Sequence, residues 1–326
     1  MAKKKTKNYV HEYILHSRRG LNSRSHLTEH EGALIRVEVD GVSGYGCLHP
    51  WVELGDLSLS ELINQLKQGR ISRQVKCALE CAEEDRNARA LGVSLFDGLE
   101  VPKSHATIVD GISSVDLAVT AGFDTVKLKM GRDGLVNLNL FREVCGAFPD
   151  LRIRLDFNGV SGAGDMEYFF REAGEELRRK IDFIEDPFPL SDPAWDSLRD
   201  KYGVKFAVDR GISKACGEFD VSVVKPAINR VQKICDAAQM AGRNVVVTSY
   251  MDHPVGQCYA AYCAGILNVK YLGLINKRCG LMTHGLYEPD AFTEKLGRVS
   301  PDWNSYSNDD GLGFGDLLDN LVWEKL

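Results

Sequence analysis

Five charged residues stand at the ends of short apolar stretches, each in a separate segment of the chain. Each run suits a buried strand, and helical patterns separate most of the runs from one another. Because the carboxyl ends of parallel strands meet at one rim of a barrel, we expect the five side chains to converge there. They are Lys129 in TVKLKM, Asp156 in LRIRLDFN, Glu185 in IDFIEDP, Asp209 in KFAVD and Lys225 in VSVVKPA.

The three carboxylates of this set predict a metal site. Carboxylates that are brought together repel one another unless a cation lies between them. Oxygen ligands from Asp156, Glu185 and Asp209 suit Mg²⁺, with Mn²⁺ as a substitute, and Mg²⁺ leaves coordination positions open for substrate oxygens. Asp186, which precedes a proline, is assigned instead to the turn after its strand.

The lysines predict proton transfer on a small carboxylate substrate beside that metal. A carboxylate bound to Mg²⁺ has an acidified α-proton, and a neutral lysine near that carbon can remove it. Lys127 and Lys129 are two residues apart, so they share one face of a strand, and the charge of Lys127 lowers the pKa of Lys129. We therefore expect Lys129 to be the base. Lys225, opposite, is either a second acid/base or a fixed cation beside developing negative charge.

The elements that would position these residues alternate between strand and helix. After Pro102, candidate strands run from HATIV to KYLGLI, with helical patterns between most of them. Runs that are apolar on both faces indicate a parallel sheet covered by helices, hence an α/β fold. About eight strands favour a closed barrel, although a doubly wound open sheet uses the same ingredients.

The chain before Pro102 has a different pattern, of α+β type. Strands are predicted around residues 9–17 and in ALIRVEVDG, and GYGCLHP is interpreted as a turn. A helix is predicted to begin after Ser72 and to end at Gly92. The tail from about Leu281 contains GLGFG, which is interpreted as a turn that packs the C-terminus against another domain and not as a phosphate loop.

Composition and charge argue against several classes of protein. With 44% hydrophobic and 26% charged residues, the chain of 326 residues is ordinary for a globular protein, and its net charge of -6 argues against nucleic-acid binding. No apolar run approaches the roughly 18 residues of a membrane span. The nine cysteines show no CxxC pairs and are interpreted as reduced thiols in a cytoplasmic compartment. The sequence does not distinguish a monomer from a homo-oligomer.

The motifs KLK, LDFN, IEDP, AVD and VVKPA, in this order, resemble the muconate-lactonising subgroup of the enolase superfamily. The resemblance implies a modified TIM barrel, (β/α)7β, at residues 104–280. It also implies an α+β capping domain formed by residues 1–103 and completed by residues 281–326. Within the subgroup, RNARALGVSLFDGL leading into VPKSHATI, a relatively short barrel and TSYMDHPVG are similar to the o-succinylbenzoate synthase family.

That family resemblance implies Mg²⁺-dependent dehydration of 2-succinyl-6-hydroxy-2,4-cyclohexadiene-1-carboxylate in menaquinone biosynthesis. Lys129 would remove the proton and then assist loss of the hydroxyl as water, and Lys225 would stabilise the enediolate. Asn158 would support the metal or a ligand water, and the loop around residues 20–30 would close over the pocket. The succinyl end of the substrate would be lined by Ser249, Tyr250 and Met251.

The sequence departs from the family pattern at two places, and it leaves other activities open. Asp209 is followed by Arg210-Gly211 where Glu-Ser is more usual, and Asp252-His253 stands where a Glu-Ser pair is more usual. The last predicted strand lacks the Asp-x-Asp pattern of dipeptide epimerases, which counts against that relative. N-succinylamino acid racemase activity needs the same magnesium and both lysines, so the motifs do not separate it from the synthase. Muconate cycloisomerase is a more distant alternative, and a non-catalytic binding barrel would be expected to lack some of the five charged residues.

Overall fold

The computed structural model of the protein describes residues 6–21, 26–131, 134–303 and 309–326. The N-terminal part is an antiparallel sheet with helices packed on one face, where Ile35, Leu62 and Val75 belong to one buried cluster. Its chain-ordered strands and helices are β1 (Thr6–His16), β2 (Glu29–Val39), β3 (Val42–Leu48), α1 (Leu59–Lys67) and α2 (Arg73–Leu91).

The segment GYGCL is a strand, so the prediction of a turn there was wrong. It lies within β3, where Gly44 and Gly46 face helix α2. A Cβ at Gly46 would lie 2.0 Å from the carbonyl oxygen of Ala78, and one at Gly44 would lie 2.1 Å from that of Ala82. These glycines therefore allow a strand to approach a helix closely, which is a use of glycine distinct from the turn.

Helix α2 begins and ends as predicted. The Ser72 hydroxyl accepts a hydrogen bond from the backbone N–H of Val75 at 3.4 Å, which satisfies one of the free donors of the first turn. Gly92 follows the helix with a left-handed φ of 66°, and its N–H donates to carbonyls of the last turn. Both ends of the helix are therefore capped by these local hydrogen bonds.

The second part is a parallel sheet of seven strands, reached through the short strand β4 (Lys103–Ser104). The strands lie side by side in chain order and alternate with helices, as predicted for an α/β fold. The strands are β5 (Ala106–Ile108), β6 (Thr125–Lys129), β7 (Arg152–Asp156), β8 (Ile181–Glu185), β9 (Phe206–Val208), β10 (Val221–Val224) and β11 (Asn244–Val247). The helices are α3 (Ile112–Thr120), α4 (Gly134–Ala147), α5 (Ala163–Arg178), α6 (Ala194–Tyr202), α7 (Val231–Met240) and α8 (Pro254–Lys270).

Residues 275–280 close the sheet into a barrel. On one side they pair with β11 through isolated bridges, one of which joins Thr248 to Gly280. On the other side, β12 (Arg278–Cys279) pairs in parallel with β4, and the N–H of His105 donates to the carbonyl of Cys279 at 2.7 Å. The eighth position of the barrel is therefore filled by a short, irregular strand.

The prediction of KYLGLI as this eighth strand was wrong. Lys270 is the last residue of α8, and the chain then turns, so that bridging begins only at Ile275. Tyr271 and Leu274 are nevertheless buried and pack into the main core from the turn, whereas Leu272 is exposed. An apolar run of this length does not distinguish a strand from a buried helix end and turn.

The C-terminal residues return to the N-terminal part through α9 (Ala291–Leu296), α10 (Gly315–Asp319) and β13 (Glu324–Lys325), and β13 pairs with β1. The GLGFG segment packs on α2, as predicted. Asp85 accepts a hydrogen bond from the N–H of Leu312 at 2.6 Å, and Arg89 donates to the carbonyl of Gly313 at 2.7 Å. The domain boundaries after residues 103 and 280 stay predictions.

No helix within the described ranges is long and apolar enough to cross a membrane. The nine cysteines are free thiols, and most of them are buried as small core residues. The inside of the barrel is filled by Phe183, Ala207, Val223 and their neighbours, which form a floor below the carboxyl ends of the strands.

Candidate active site

The predicted site residues stand at the carboxyl ends of consecutive barrel strands. Lys129, Asp156 and Glu185 are the last residues of β6, β7 and β8, while Asp209 and Lys225 directly follow β9 and β10. Lys129 pairs in register with Asp156, and Asp156 pairs with Glu185. Laterally paired residues of a parallel sheet project to the same face, so the register brings these groups to one height inside the barrel.

Two lysines share one carboxylate of this row. The Nζ of Lys127 lies 3.0 Å from Asp156 Oδ2 and 3.2 Å from both carboxylate oxygens of Glu185. The Nζ of Lys129 lies 2.6 Å from the same Asp156 Oδ2. The other oxygen, Oδ1, accepts a hydrogen bond from the N–H of Asn158 at 3.1 Å. The buried carboxylates are thus neutralised by ammonium groups that lie between them.

Burial and charge affect the two lysines differently. Burial alone would lower the pKa of Lys127, but the attraction of Asp156, Glu185 and Asp209 outweighs it and raises that pKa above its ordinary value. For Lys129, burial lowers the pKa despite Asp156, and the charge of Lys127 adds to the lowering. These directions agree with the expected division between a permanent cation and a base, whose roles stay predictions.

The carboxylates also affect one another. Burial raises the pKa of Glu185, and the charges of Asp156 and Asp209 raise it further. The pKa of Asp156 is lowered, because Lys127 and Lys129 outweigh the effect of burial. Three carboxylates within range of mutual repulsion are an arrangement that a further cation would stabilise.

Asp209 and Lys225 form the other side of the site, where their side chains are ion-paired. The backbone N–H of Lys225 donates to Asn229 Oδ1 at 2.7 Å, which fixes the turn after β10. Asp186 accepts hydrogen bonds from the N–H groups of Asp209 at 3.2 Å and Arg210 at 3.0 Å. As expected for a turn residue, Asp186 holds the loop that presents Asp209.

A cavity of about 250 Å³ lies above this row. Asp156 does not line the cavity itself, but Lys127 and Lys129, which are both paired with it, do. The cavity is lined by the other predicted site residues, namely Lys127, Lys129, Asn158, Glu185, Asp209, Lys225, Ser249, Tyr250 and Met251.

The loop after β11 is positioned by the N-terminal part of the chain. The indole N–H of Trp51 donates to the carbonyl of Tyr250 at 2.8 Å, and the Tyr250 hydroxyl donates to Asp56 at 2.9 Å. Met251 follows with a left-handed φ of 50°, and its carbonyl accepts from the hydroxyl of Tyr287. The wall of the cavity therefore depends on contact between the cap and the barrel. The predicted closing loop at 20–30 lies partly outside the described residues, because 22–25 are not described.

The structure adds lining residues that sequence reasoning missed. His105 and Thr107 face the cavity, and their spacing of two in the HATIV strand is a signal that could have indicated them. The Nδ1 of His105 lies 2.7 Å from a guanidinium nitrogen of Arg154 and so accepts its hydrogen bond. Leu54 and Asp56 also line the cavity, but they come from the cap, so no pattern in the barrel sequence indicates them.

The two departures from the family pattern have different structural roles. Arg210 lines the cavity, and its guanidinium donates to Asn158 Oδ1 at 3.3 Å. His253 is the N-cap of α8, where its Nδ1 accepts a hydrogen bond from the N–H of Val255 at 3.2 Å. Asp252 is buried beside it. The Asp252-His253 pair therefore begins a helix, whereas Arg210 belongs to the site.

The carboxylates fit a divalent metal in chemical type, and they lie at neighbouring strand ends. Asp156, Glu185 and Asp209 are oxygen donors at adjacent strand ends, as Mg²⁺ prefers. Over the described ranges, however, no three acidic, histidine or cysteine side chains are arranged closely enough to hold one ion. The ammonium group of Lys127 lies between two of the carboxylates, and that of Lys225 is paired with the third. A bound metal would therefore take over charge neutralisation that the lysines now provide.

Known proteins match both parts of the chain. The family profile described as "O-succinylbenzoate synthase, N-terminal domain" matches residues 8–88. A curated o-succinylbenzoate synthase from Bdellovibrio bacteriovorus is 35% identical over 331 residues, which cover 96% of this chain and 97% of that protein. The curated synthase from Edwardsiella ictaluri is 26% identical over 266 residues, which cover 74% of this chain and 80% of that protein.

Solved structures share the fold. An N-succinyl Arg/Lys racemase from Bacillus cereus aligns with a TM-score of 0.80 and 18% identity, covering 99% of this chain and 100% of that chain. A dipeptide epimerase from Enterococcus faecalis, complexed with Mg and the dipeptide L-Leu-L-Tyr, aligns with a TM-score of 0.79 and 16% identity, covering 95% and 99%. These likenesses confirm the predicted modified TIM barrel with a capping domain.

The capped barrel, with charged residues in order along its rim, is the class of fold that the resemblance to the enolase superfamily implies. The 35% sequence identity to a curated o-succinylbenzoate synthase over nearly the full length shows to which family the chain belongs. The chain belongs to the o-succinylbenzoate synthase family, and it is accordingly an enzyme of the lyase class. This membership excludes the alternative of a non-catalytic barrel.

Proposed function

We propose that the protein dehydrates 2-succinyl-6-hydroxy-2,4-cyclohexadiene-1-carboxylate to 2-succinylbenzoate, a step of menaquinone biosynthesis, with Mg²⁺ as cofactor. Family membership supports the class of reaction. The observation that carries the proposal for this chain is the row of Lys129, Asp156 and Glu185 below one cavity, with Asp209 and Lys225 on its other side. The substrate is a small dicarboxylate, and a cavity lined by cations suits it.

Lys129 would carry both proton transfers. Its Nζ, at the end of β6, faces the cavity, so as a neutral amine it would take the proton from ring carbon 1, next to the carboxylate. The electrons of the broken C1–H bond would then form the double bond between carbons 1 and 6 as the hydroxyl leaves carbon 6. The protonated Lys129 would give the same proton to that hydroxyl, so the ring becomes aromatic and the other product is water.

The other charged groups would stabilise the change in charge. Asp156, Glu185 and Asp209 would hold the metal, and Mg²⁺, when bound, would stabilise negative charge on the substrate carboxylate. Lys127 would stay protonated between Asp156 and Glu185, which accept its hydrogen bonds. Lys225 would place a fixed positive charge on the opposite side of the ring from Lys129.

The remaining predicted residues would bind substrate. Asn158, Ser249, Tyr250 and Met251 line the cavity, and the loop formed by the last three is fixed from the cap. Ser249 is also held by the chain after the barrel, since its hydroxyl lies 2.8 Å from that of Thr283. Groups that are fixed before substrate arrives lose little entropy on binding it.

The test measures turnover by the wild type and by Lys129→Ala in the presence of Mg²⁺. Formation of the aromatic product is monitored by its ultraviolet absorption. We expect Lys129→Ala to abolish turnover and to leave Mg²⁺ binding nearly intact, because the substitution leaves the three proposed ligands Asp156, Glu185 and Asp209 in place. Lys201→Ala is the control, since Lys201 forms an exposed pair with Glu167 at 2.6 Å. Absence of aromatic product from the wild type would refute the proposed reaction, and turnover by Lys129→Ala would refute the base.

N-succinylamino acid racemase activity is a second candidate, favoured by Lys225, which lines the same cavity as Lys129 on the other side. Two lysines on opposite faces of a substrate can remove a proton from one face and return it to the other. Incubation of N-succinylamino acids in D₂O tests this activity. Exchange at the α-carbon that is lost in Lys225→Ala would support it, and absence of exchange would exclude it.

A further inference from the structure

Four cationic side chains line the candidate cavity, and three of them are paired with carboxylates. Lys127 and Lys129 pair with Asp156, and Lys225 pairs with Asp209. The fourth, Arg210, forms no ion pair with a carboxylate of the described ranges. A cation that faces a cavity without a counter-charge favours an anionic ligand there.

The hydrogen-bond partners of Arg210 hold its backbone and side chain without neutralising the charge of its guanidinium. Its backbone N–H donates to Asp186 at 3.0 Å, and its guanidinium donates to Asn158 Oδ1 at 3.3 Å. Asn158 is only 7% exposed, and its Nδ2 has no hydrogen-bond acceptor among the described residues. A buried amide donor without an acceptor costs free energy. The guanidinium donors that Asn158 does not use are therefore available to an anion at one wall of the cavity, and the unpaired amide donor of Asn158 lies buried beside them.

This wall lies beyond the row of proposed metal ligands. Asn158 comes two residues after Asp156, the last residue of its strand, and Arg210 comes directly after Asp209. Lys127, in contrast, lies two residues before the end of β6 and is buried. Arg210 and the proposed metal ligands Glu185 and Asp209 line the same cavity, so a ligand whose first carboxylate is bound at the metal can reach Arg210 with its other end.

We propose that Arg210 binds the second carboxylate of the dicarboxylate substrate, with Asn158 orienting the guanidinium. This inference rests on the proposed function, because that reaction has a substrate and a product with two carboxylates. The planar guanidinium can donate two parallel hydrogen bonds to a carboxylate, which lysine cannot. Arg210 thus determines specificity for a dicarboxylate over the matching monocarboxylate, and it takes no part in the proton transfers.

The test compares two ligands that differ only at the second carboxylate, 2-succinylbenzoate and its methyl ester on the succinyl group. Calorimetry with Mg²⁺ present gives Kd for the wild type, Arg210→Met, Arg210→Lys and Lys214→Met. A charge-assisted hydrogen bond of about 1.5 kcal/mol corresponds to about tenfold in Kd. We expect Arg210→Met to weaken binding of the dicarboxylate about tenfold or more and binding of the ester less than about twofold.

The conservative and control variants define what a structural role would do. Arg210→Lys keeps the charge but not the forked geometry of the guanidinium, so its loss of affinity for the dicarboxylate should be intermediate. If Arg210→Met fails to fold, the comparison of the wild type with Arg210→Lys is sufficient. Lys214 lies on the same loop but does not line the candidate cavity, so Lys214→Met should change neither Kd. Equal weakening of both ligands by Arg210→Met, or no preference of the wild type for the dicarboxylate, would overturn the inference.

The two proposals fail separately in this design. A wild type that binds the dicarboxylate through Arg210 but yields no aromatic product refutes the proposed reaction and leaves the role of Arg210 intact. A wild type that yields product, while Arg210→Met weakens both ligands equally, refutes the role of Arg210 and leaves the reaction intact. Binding of neither ligand by the wild type counts against the role of Arg210.

Discussion

Lys127→Met tests the charge balance of the site. Lys127 lies between two nearly buried carboxylates, at 3.0 Å from Asp156 and 3.2 Å from Glu185, and its side chain is 9% exposed. Methionine has a similar length and no charge. After the substitution Asp156 keeps Lys129, whereas Glu185 loses the hydrogen-bonding side chain that it has in the described structure.

The expected loss is large because one partner of a buried ion pair is removed. Such changes destabilise proteins by about 3–5 kcal/mol, since the remaining charge is buried without compensation. With an unfolding entropy of about 2.1 cal/mol/K per residue, this corresponds to a fall of about 4–7 °C in Tm for a chain of this length. Lys201→Met, which breaks an exposed pair with Glu167, should change the stability by less than about 1 kcal/mol.

The assay is thermal unfolding in metal-free buffer and again with excess Mg²⁺. A divalent cation at Asp156, Glu185 and Asp209 would restore the missing positive charge, so Mg²⁺ should raise the Tm of Lys127→Met by more than it raises that of the wild type. Equal Tm values of the Lys127 and Lys201 variants without metal would refute the argument from buried charge. A deficit that Mg²⁺ leaves unchanged would refute the assignment of the metal to these carboxylates.

Two further predictions concern stability. Gly46→Ala should cost about 1–3 kcal/mol, because its Cβ would lie 2.0 Å from the carbonyl of Ala78, whereas Gly146→Ala, on α4 with nothing within 4 Å, should stabilise by about 0.5–1 kcal/mol. Urea midpoints of both variants measure this, and a stable Gly46→Ala would contradict the close packing. Burial raises the pKa of Asp252 to about 7, so its folded carboxyl keeps a proton that an unfolded one releases at about pH 4, and stability should fall as pH rises from about 4 through 7. Asp252→Asn should remove this part of the pH dependence in urea unfolding at pH 5 and 8, and an unchanged slope would show that Asp252 is not its source.

The arrangement of Lys129, Asp156 and Glu185 could be predicted from sequence because local pattern and topology agree there. Short apolar runs between helical patterns indicate where the strands end, and a parallel barrel places all those ends at one rim. The register then aligns the three residues without further information. The same reasoning extends to Asp209 and Lys225, which directly follow their strands.

The errors in the prediction of the fold arose in segments whose conformation depends on tertiary packing. Gly44 and Gly46 are typical of a turn by local pattern, but their small size serves contact with α2. KYLGLI is apolar enough for a strand, but Tyr271 and Leu274 are buried from a turn. In both segments the residue types indicate close packing, but they do not indicate which element the chain packs against.

Residues that would choose the substrate could not be predicted in the same way. The cavity wall at Tyr250 depends on Trp51 and Asp56, which come from the cap about two hundred residues earlier. Arg210 was visible only as a departure from a motif, and its place beside Asn158 follows from how two strand ends meet in space. No local pattern connects such pairs.

This division of the site bears on why one fold serves several reactions. Solved structures of this fold include an N-succinyl Arg/Lys racemase and a dipeptide epimerase at 18% and 16% identity, so the fold by itself does not determine the reaction. In this chain the row of Lys129, Asp156 and Glu185 follows from strand pattern and register, and it offers general proton-transfer chemistry on a carboxylate. The choice among carboxylates must then lie in the walls of the cavity. Among the lysines and arginines that line the cavity in the described structure, Arg210 is the one that forms no ion pair with a carboxylate, so it is the residue at which we expect selectivity for a dicarboxylate to be decided.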